Sequence, residues 1–178
     1  MIDFQPTLEN EMLILRPLRK EDFESLFRVA KDPLIWEQHP SSTRYKKEVF
    51  TDFFIESINS QGALLAIEKS TGQVIGSSRF KPIKDSNSAI EIGWSFLARE
   101  KWGKGYNRSM KKLMIDYALE RKEHIIFYIG IENIRSQKAV EKIGGKRIVG
   151  HRYQHLIKKS ENDLTYRIGR LEWKVKAH

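Results

Sequence analysis

A short segment rich in glycine and lysine, Lys101 to Arg108, has the residue types of an anion site. Gly103 and Gly105 lack the Cβ atoms that keep a phosphate away from the backbone, and free N–H groups at a helix start attract negative charge. Lys101, Lys104 and Arg108 add positive charge. The segment has no P-loop ending, and Arg108 breaks the dinucleotide pattern Gly-x-Gly-x-x-Gly. It therefore predicts a phosphate-binding loop outside those two nucleotide motifs, or else a structural turn.

Positive charge is concentrated in the same part of the chain. Residues 1–98 contain 12 Lys and Arg against 14 Asp and Glu, whereas residues 99–178 contain 20 against 9. Such an asymmetry indicates a polyanionic partner, either a nucleic acid or a phosphorylated small molecule, or else a solvated basic surface. Charge alone does not choose among these three.

Length and composition limit the class of protein. The 178 residues correspond to one domain, residues 1–178, and 40% hydrophobic residues with 11% aromatic ones are enough for a core. The chain contains no Cys, which excludes disulfide scaffolds and Cys nucleophiles. No apolar run reaches the roughly 18 residues of a membrane span, and the N-terminus does not resemble a secretory signal. We therefore expect a cytoplasmic protein without a membrane segment, and the lack of a ligand cluster at metal spacing predicts no metal site.

The glycine segment lies between two elements with clear periodicity. The strand predicted before it, Ala89 to Leu97, has large apolar residues at every second position: Ile90, Ile92, Trp94 and Phe96. A period of two then places Glu91, Gly93 and Ser95 together on the other face. The helix predicted after it, through Arg121, has an apolar stripe at helical spacing: Met110, Leu113, Met114, Tyr117 and Ala118.

The remaining pattern predicts an α+β fold with one parallel strand–helix–strand crossover at its centre. The other predicted strands are Met12 to Leu18, Leu64 to Glu68, Val74 to Phe80, Ile125 to Ile131, and a final antiparallel pair, Lys146 to Tyr153 with Leu164 to Trp173. The other predicted helices are Glu21 to Ala30, Lys46 to Asn59 and Ile134 to Ile143.

In four ordered blocks, the chain resembles the GNAT superfamily of acetyl-CoA-dependent N-acetyltransferases, and within it the ribosomal-protein N-terminal acetyltransferase (RimJ/RimL-like) subgroup. The blocks are Leu13 to Leu18 with Glu21-Asp22; Glu91 to Trp94 before Trp102 to Tyr106; Asn133 to Ser136 before Glu141 to Gly144; and Tyr166 to Trp173. The resemblance implies a single-domain fold with a mixed, mostly antiparallel central sheet and helices on both faces.

The resemblance also implies a set of residues that bind acetyl-CoA. The backbone of Phe96 and Leu97 would contact the pantetheine arm of the donor. Asn133 would hydrogen-bond the pantetheine region, and Ser136 would lie near the thioester sulfur. The pyrophosphate would be held by the backbone amides of the loop: Trp102, Gly103, Lys104, Gly105, Tyr106 and Asn107.

Three positions depart from the family pattern. Asn107 stands where the family has Gly or Ala, and Ser109 stands where the subgroup often has Glu. Because Asn tolerates a positive φ, we expect the loop to keep its shape. Gly145 replaces the aromatic residue that usually follows Gly144, which predicts looser packing near the donor. Asn107 and Gly145 together predict weaker CoA binding.

Acetyl transfer to an amine requires a proton acceptor for the amine and a stabilised thiolate leaving group. Glu91 is the expected general base, directly or through water, although it could instead be a surface carboxylate paired with a Lys. Ser136 is the expected acid or hydrogen-bond donor to the thiolate. A Ser in the first turn of a helix that begins at Asn133 is also a common capping arrangement.

Two segments are expected to shape the acceptor pocket. Trp36, His39 and Pro40 occupy the region that does so in the family, and an aromatic ring there could bind an ammonium group by a cation–π contact. Tyr153, with His151 and His155 at alternate positions of the last predicted strand pair, could face the same cleft.

The sequence therefore predicts an N-acetyltransferase that moves acetyl from acetyl-CoA to a primary amine by direct attack in a ternary complex. A protein N-terminus is the first expectation for the acceptor, followed by a free amino acid, an aminoglycoside or a polyamine, and a homodimer is possible. One alternative is a non-catalytic relative that binds acyl-CoA. Another is a basic RNA- or ribosome-binding module, which the lack of a known RNA motif disfavours.

Overall fold

The computed structural model describes residues 2–157 and 160–176, and its centre is one sheet of eight strands in the order β1-β2-β3-β4-β5-β6-β8-β7. Every neighbouring pair is antiparallel except β5 and β6. The strands are β1 (Leu8–Glu9), β2 (Leu13–Pro17), β3 (Ala63–Glu68), β4 (Val74–Pro82), β5 (Ala89–Leu97), β6 (His124–Gly130), β7 (Lys146–Arg147) and β8 (Asp163–Gly169). The mixed, mostly antiparallel sheet that was predicted is confirmed.

Helices cover both faces of this sheet, as expected. They are α1 (Phe23–Ala30), α2 (Lys47–Asn59), α3 (Tyr106–Leu119), α4 (Ile134–Lys142) and α5 (Arg170–Lys176). The predicted stripe of α3 packs with residues of α4 against one face, where Met110, Met114 and Ala118 are fully buried. An aromatic cluster under α1 and α2 fills the other face around Phe50 and Phe96. No helix within the described residues is both long enough and apolar enough to cross a bilayer.

The predicted alternation along β5 is wrong beyond Gly93, because the strand contains a bulge. Trp94 has a φ of 53°, and the register with β4 shifts between Ser77 and Arg79. A bulge inserts one extra residue and reverses the faces of all that follow. Phe96 therefore packs into the cluster under α1 and α2, whereas the hydroxyl of Ser95 meets Lys111 of α3 on the opposite face. Glu91 and Ser95 do not share a face.

The predicted final strand pair is also much shorter than expected. Strand β7 has two residues, and the segment His151–Leu156 forms a 3-10 helix. Strand β8 ends at Gly169, after which α5 carries Trp173. The carboxylate of Glu172 accepts the N–H of Gly169 at 3.0 Å and binds Arg167 at 2.6 Å. A carboxylate that satisfies the backbone at a helix start favours the helix over a continued strand.

Candidate active site

The parallel pair of strands separates along its length and opens the site. Strands β5 and β6 pair at three positions, from Ala89 opposite His124 to Glu91 opposite Ile126. Beyond them the described residues of β5 and β6 do not pair with each other. A cavity of about 820 Å³ lies at the ends of these strands, between α3, α4 and the segment that follows α1. Of the predicted site residues, it is lined by Trp36, His39, Phe96, Leu97, Trp102, Gly103, Gly105, Asn107, Asn133 and Ser136. These ten predicted residues therefore lie on one continuous surface.

The glycine loop owes its shape to two residues with positive φ. Gly103 has a φ of 73°, and Gly105, which caps α3, has a φ of 85°. A Cβ at Gly103 would meet no atom within 4 Å, so the backbone conformation, and not the available space, requires Gly there. Asn107 lies inside α3 and has no positive φ, so the loop does not depend on the tolerance of Asn for such a φ. The first-turn N–H groups of α3 have no partners within the helix and lie beside the cavity.

Glu68, which sequence reasoning missed, fastens both ends of this loop to β3. Its carboxylate accepts hydrogen bonds from Lys101 Nζ at 2.7 Å, from Thr71 Oγ1 at 2.6 Å and from the hydroxyl of Tyr106. The bond from Lys101, followed by those from Thr71 and Tyr106, lowers the pKa of Glu68 to about 2. Lys101 was expected to add free charge to the loop, but its ammonium is paired with this carboxylate. Tyr106 and Lys104 do not line the cavity.

Helix α4 presents its first turn to the cavity. The side chain of Asn133 caps this helix, with Oδ1 accepting the N–H of Ser136 at 3.2 Å. The capping interpretation of the Asn133 and Ser136 pair is therefore confirmed. Both residues also line the cavity, and Asn133 is buried, so the cap fixes two candidate site residues relative to each other.

The cavity carries positive charge. Five cationic side chains line it, and within the described residues no Asp or Glu does so: Lys101, Arg108, Arg135, Lys138 and Lys142. The guanidinium of Arg135 lies 4.3 Å from the ring centroid of Trp102. First-turn N–H groups, these cations and a glycine loop fit the phosphates of acetyl-CoA. Among the residues that the structure describes, no three His, Asp or Glu side chains cluster as metal ligands would.

Trp36 and His39 border the cavity but are held by the protein itself. Trp36 is buried, its Nε1 donates to the carbonyl of Ala30 at 2.7 Å, and the guanidinium of Arg44 lies 5.0 Å from its ring centroid. Arg44 therefore already occupies the cation–π position that was expected for a substrate. Burial, together with the charge of Arg44, lowers the pKa of His39 to about 4, so His39 is neutral at pH 7.

Besides Lys104 and Tyr106, two further predicted site residues, Glu91 and Tyr153, do not line this cavity. Glu91 is half-buried beside Gly93. It lies close enough to Tyr128 that burial of Tyr128, followed by the charge of Glu91, raises the pKa of Tyr128 to about 12. Tyr153 lies in the 3-10 helix, with its ring 5.6 Å from that of His124 at the start of β6. The cavity lies at the other end of β6, where Asn133 and Ser136 follow the strand.

Gly145 does not loosen the packing, contrary to expectation. A Cβ at this position would lie 2.3 Å from Cγ1 of Val140 and 3.0 Å from its carbonyl oxygen. Val140 is buried in the cluster beneath α4. The chain therefore passes so close to α4 that only Gly fits without a shift.

Comparison with known proteins relates this geometry to a family. Three solved structures share the fold. An acetyltransferase (GNAT family) from Bacillus anthracis has a TM-score of 0.74 and 20% identity, with 94% of this chain and 100% of that chain covered. A putative acetyltransferase from T. thermophilus has a TM-score of 0.73 and 23% identity, with 99% and 96% covered, and the spermidine N-acetyltransferase from Vibrio cholerae in complex with CoA and spermine has a TM-score of 0.68 and 16% identity, with 93% and 99% covered. Residues 12–146 match the family model described as "Acetyltransferase (GNAT) domain". The chain therefore belongs to the GNAT acetyltransferases, a family of acetyl-CoA-dependent acyltransferases.

Proposed function

We propose that the protein, acting as a single domain of residues 1–178, transfers acetyl from acetyl-CoA to a primary amine in a ternary complex. The observation that carries this proposal is the cationic cavity at the separated ends of β5 and β6. It joins a glycine loop, two helix N-termini and the unpaired edge of a strand, which suit the diphosphate, the pantetheine amides and the thioester of one extended donor.

In this proposal the donor is held largely by backbone. The N–H groups of Gly103, Gly105 and Asn107, which line the cavity, bind the pyrophosphate, and the two glycines allow its close approach. The backbone of Phe96 and Leu97 hydrogen-bonds the pantetheine arm. The carbonyl oxygen of Leu97 accepts Trp102 Nε1 at 3.0 Å, which holds the loop against the end of β5.

Direct attack forms a C–N bond and breaks the C–S bond of the thioester. We assign Glu91 as the group that removes the proton of the ammonium form, through water because Glu91 does not line the cavity. Ser136, which does, donates a hydrogen bond or a proton to the departing thiolate. The two residues thus act on opposite sides of the scissile bond.

The acceptor class follows from the charge of the site and from the resemblance to the RimJ/RimL-like subgroup. Among the described lining residues there is no carboxylate to hold a polycation, which favours a protein N-terminus over a polyamine. The spermidine N-acetyltransferase is a fold neighbour at 16% identity and does not change this preference. A cytoplasmic location and a homodimer stay predictions.

Isothermal titration with acetyl-CoA, CoA and ATP tests the donor site first. We expect saturable binding of acetyl-CoA and CoA, no binding of ATP, and loss of binding in Gly105→Val, because Val disfavours the φ of 85° at Gly105. Gly72→Val, at a remote turn with a φ of 69°, is the matched control for backbone strain. Binding of ATP but not of CoA would overturn the donor assignment.

Mass spectrometry of a panel of amines then tests the acceptor. Peptides with a free N-terminal Met, Ser or Ala are compared with free amino acids, an aminoglycoside and spermidine, each with acetyl-CoA. We expect a mass increase of one acetyl group on the peptides. Binding of acetyl-CoA without acetylation of any amine would favour the non-catalytic alternative.

A further inference from the structure

Lys111 is a buried cation that the proposed mechanism does not use. It lies in the second turn of α3 and is 5% exposed, and no ion pair of the described residues includes it. Its Nζ hydrogen-bonds the hydroxyls of Ser95 and Ser78, the latter at 3.3 Å, and lies 5.8 Å from the ring centroid of Phe127. Burying an ammonium group without a carboxylate partner lowers the stability of the folded protein. A lysine kept in such a position therefore indicates a functional role.

The charged and titratable groups of the surrounding elements act elsewhere. On the strands packed around α3, three groups form ion pairs: Glu9 with Lys69, Arg16 with Asp22 and Arg79 with Glu56. Lys81 lies over the ring of Trp94, and Glu91 lies on the far face of β5. His124 is hydrogen-bonded to Arg167, and the hydroxyl of Tyr128 donates to the carbonyl of Leu156. On α3 itself they are Tyr106 with Glu68, Lys112 with Asp116, Tyr117 with the carbonyl of Asp3, and Arg108 at the cavity. Burial therefore dominates at Lys111 and lowers its pKa to about 7.

Ser95 connects this lysine to the cavity. It lines the cavity and is exposed, while its Oγ contacts Lys111 and lies 2.7 Å from Oγ of Ser78. The bulge at Trp94 creates this connection, because a regular strand would direct Ser95 toward α1 and α2. The bulge at Trp94 therefore places the hydroxyl of Ser95 where it contacts both Lys111 and the cavity.

We propose that Ser95 contacts the acceptor amine and that Lys111 is the positioning residue that orients Ser95 and receives its proton. As the C–N bond forms, the amine nitrogen transfers its second proton to Oγ of Ser95, and the proton of that hydroxyl passes to neutral Lys111. Glu91 takes the first proton, from the ammonium form. The thiolate takes the proton of the Ser136 hydroxyl, which solvent replaces, and Glu91 and Lys111 return their protons to solvent. The inference rests on the proposed acetyl transfer and adds a proton route to it.

Steady-state kinetics with the amine found in the panel test the route. We expect Lys111→Met and Ser95→Ala to lower kcat by about 10²-fold, the usual contribution of a proton-transfer group, and to leave the Kd for acetyl-CoA within twofold. In Lys111→Met the pH profile of kcat should lose its inflection near 7, while Lys111→Arg stays charged and inactive. Lys112→Met, at the exposed neighbour paired with Asp116, should behave as the unmodified protein.

The thermal stability of Lys111→Met distinguishes a role of Lys111 in proton transfer from a purely structural role. Met fills the site without a buried charge, so the Tm of Lys111→Met should equal or exceed that of the unmodified protein. A variant that folds, binds acetyl-CoA and retains kcat and its pH profile would overturn the proposal.

Proton titration of Lys111 needs no acceptor and is independent of turnover. In protein labelled with ¹³C at lysine Cε, the signal absent from Lys111→Met should titrate near pH 7, and this midpoint should shift in Ser95→Ala. A lysine that stays protonated to pH 9 would overturn the route even if acetyl transfer is established. Titration near 7 in a protein that acetylates no amine would instead place the failure in the proposed function.

Discussion

At the scale of single residues, the assignment of Glu91 as a base is the most direct point to test. Glu91→Gln keeps the size of the side chain and removes the proton acceptor, so kcat should fall by about 10²-fold with little change in the KM for acetyl-CoA. Glu48→Gln, at an exposed carboxylate of α2, is the matched control for loss of one charge. Unchanged kcat in Glu91→Gln would leave the Ser95 and Lys111 pair as the proton route.

Gly145 offers a steric prediction. Gly145→Ala should lower the free energy of unfolding by about 1–3 kcal/mol, because the new Cβ would overlap Val140. The double variant with Val140→Ala removes the overlapping methyl groups and should regain part of the Gly145→Ala loss, although Val140→Ala is itself destabilising. Urea unfolding of the two single variants and the double variant measures this coupling. Strict additivity would show that the chain moves away from α4 at no cost.

The sequence revealed residues whose roles depend on local pattern and missed those that depend on distant contacts. Gly103, Gly105 and Asn133 were found because turns and caps are encoded within a few positions. Glu68 and Lys111 were not found, since the contacts of Glu68 with Lys101 and Tyr106 and of Lys111 with Ser95 join residues more than 15 positions apart in sequence. No local signal separates a buried, unpaired lysine in an amphipathic helix from the exposed lysine beside it.

At the scale of elements, Glu68 fixes where the glycine loop and α3 begin. Its pKa is lowered to about 2 from an ordinary value of 4.5, so the stabilisation it provides is complete above about pH 4.5 and is lost as the pH falls toward 2. Glu68→Gln should reduce the free energy of unfolding at pH 7 by roughly 1–3 kcal/mol and weaken binding of CoA. The difference between the two proteins should shrink below pH 4.5 in urea unfolding.

A second carboxylate provides the control for this prediction. Glu9 pairs with Lys69 at 3.1 Å, and both side chains are exposed. Glu9→Gln should therefore change the free energy of unfolding by less than about 1 kcal/mol and leave CoA binding intact. Equal effects of the two substitutions would mean that the loop is held by its own backbone and not by Glu68.

The elements themselves were predicted well where hydrophobic period and length agree. The stripe of α3 and the strand preceding it were placed within a few residues of their observed bounds. The bulge at Trp94 was not predicted, because the sequence of β5 continues to alternate between large apolar and other residues through it. The inserted residue reverses which face each later side chain occupies. The last strands were extended too far because alternation continues into a 3-10 helix and into α5.

At the scale of the whole molecule, the excess of positive charge predicts the salt dependence of donor binding. Five Lys and Arg residues line the cavity, of which Lys101 is paired with Glu68 and Arg135 with Glu37, and none of the described lining residues is a carboxylate. The Kd for acetyl-CoA should therefore rise several-fold between about 50 and 500 mM salt. Lys138→Gln should reduce that dependence, and Lys174→Gln, exposed on α5, should not. A Kd insensitive to salt would assign donor affinity to neutral backbone contacts alone.

The separation of β5 from β6 has a further consequence for cooperativity. The sheet has two parts, β1 to β5 and β6 with β8 and β7, which are joined only by the three residue pairs between β5 and β6. Beyond those pairs, β5 and β6 do not hydrogen-bond each other along their facing edges. A donor whose amides bridge the unpaired edges would serve as a missing length of strand and couple the two parts. Ligand would then stabilise the fold by RT ln(1 + [L]/Kd), so that cellular donor concentration sets the lifetime of the protein as well as its rate of turnover.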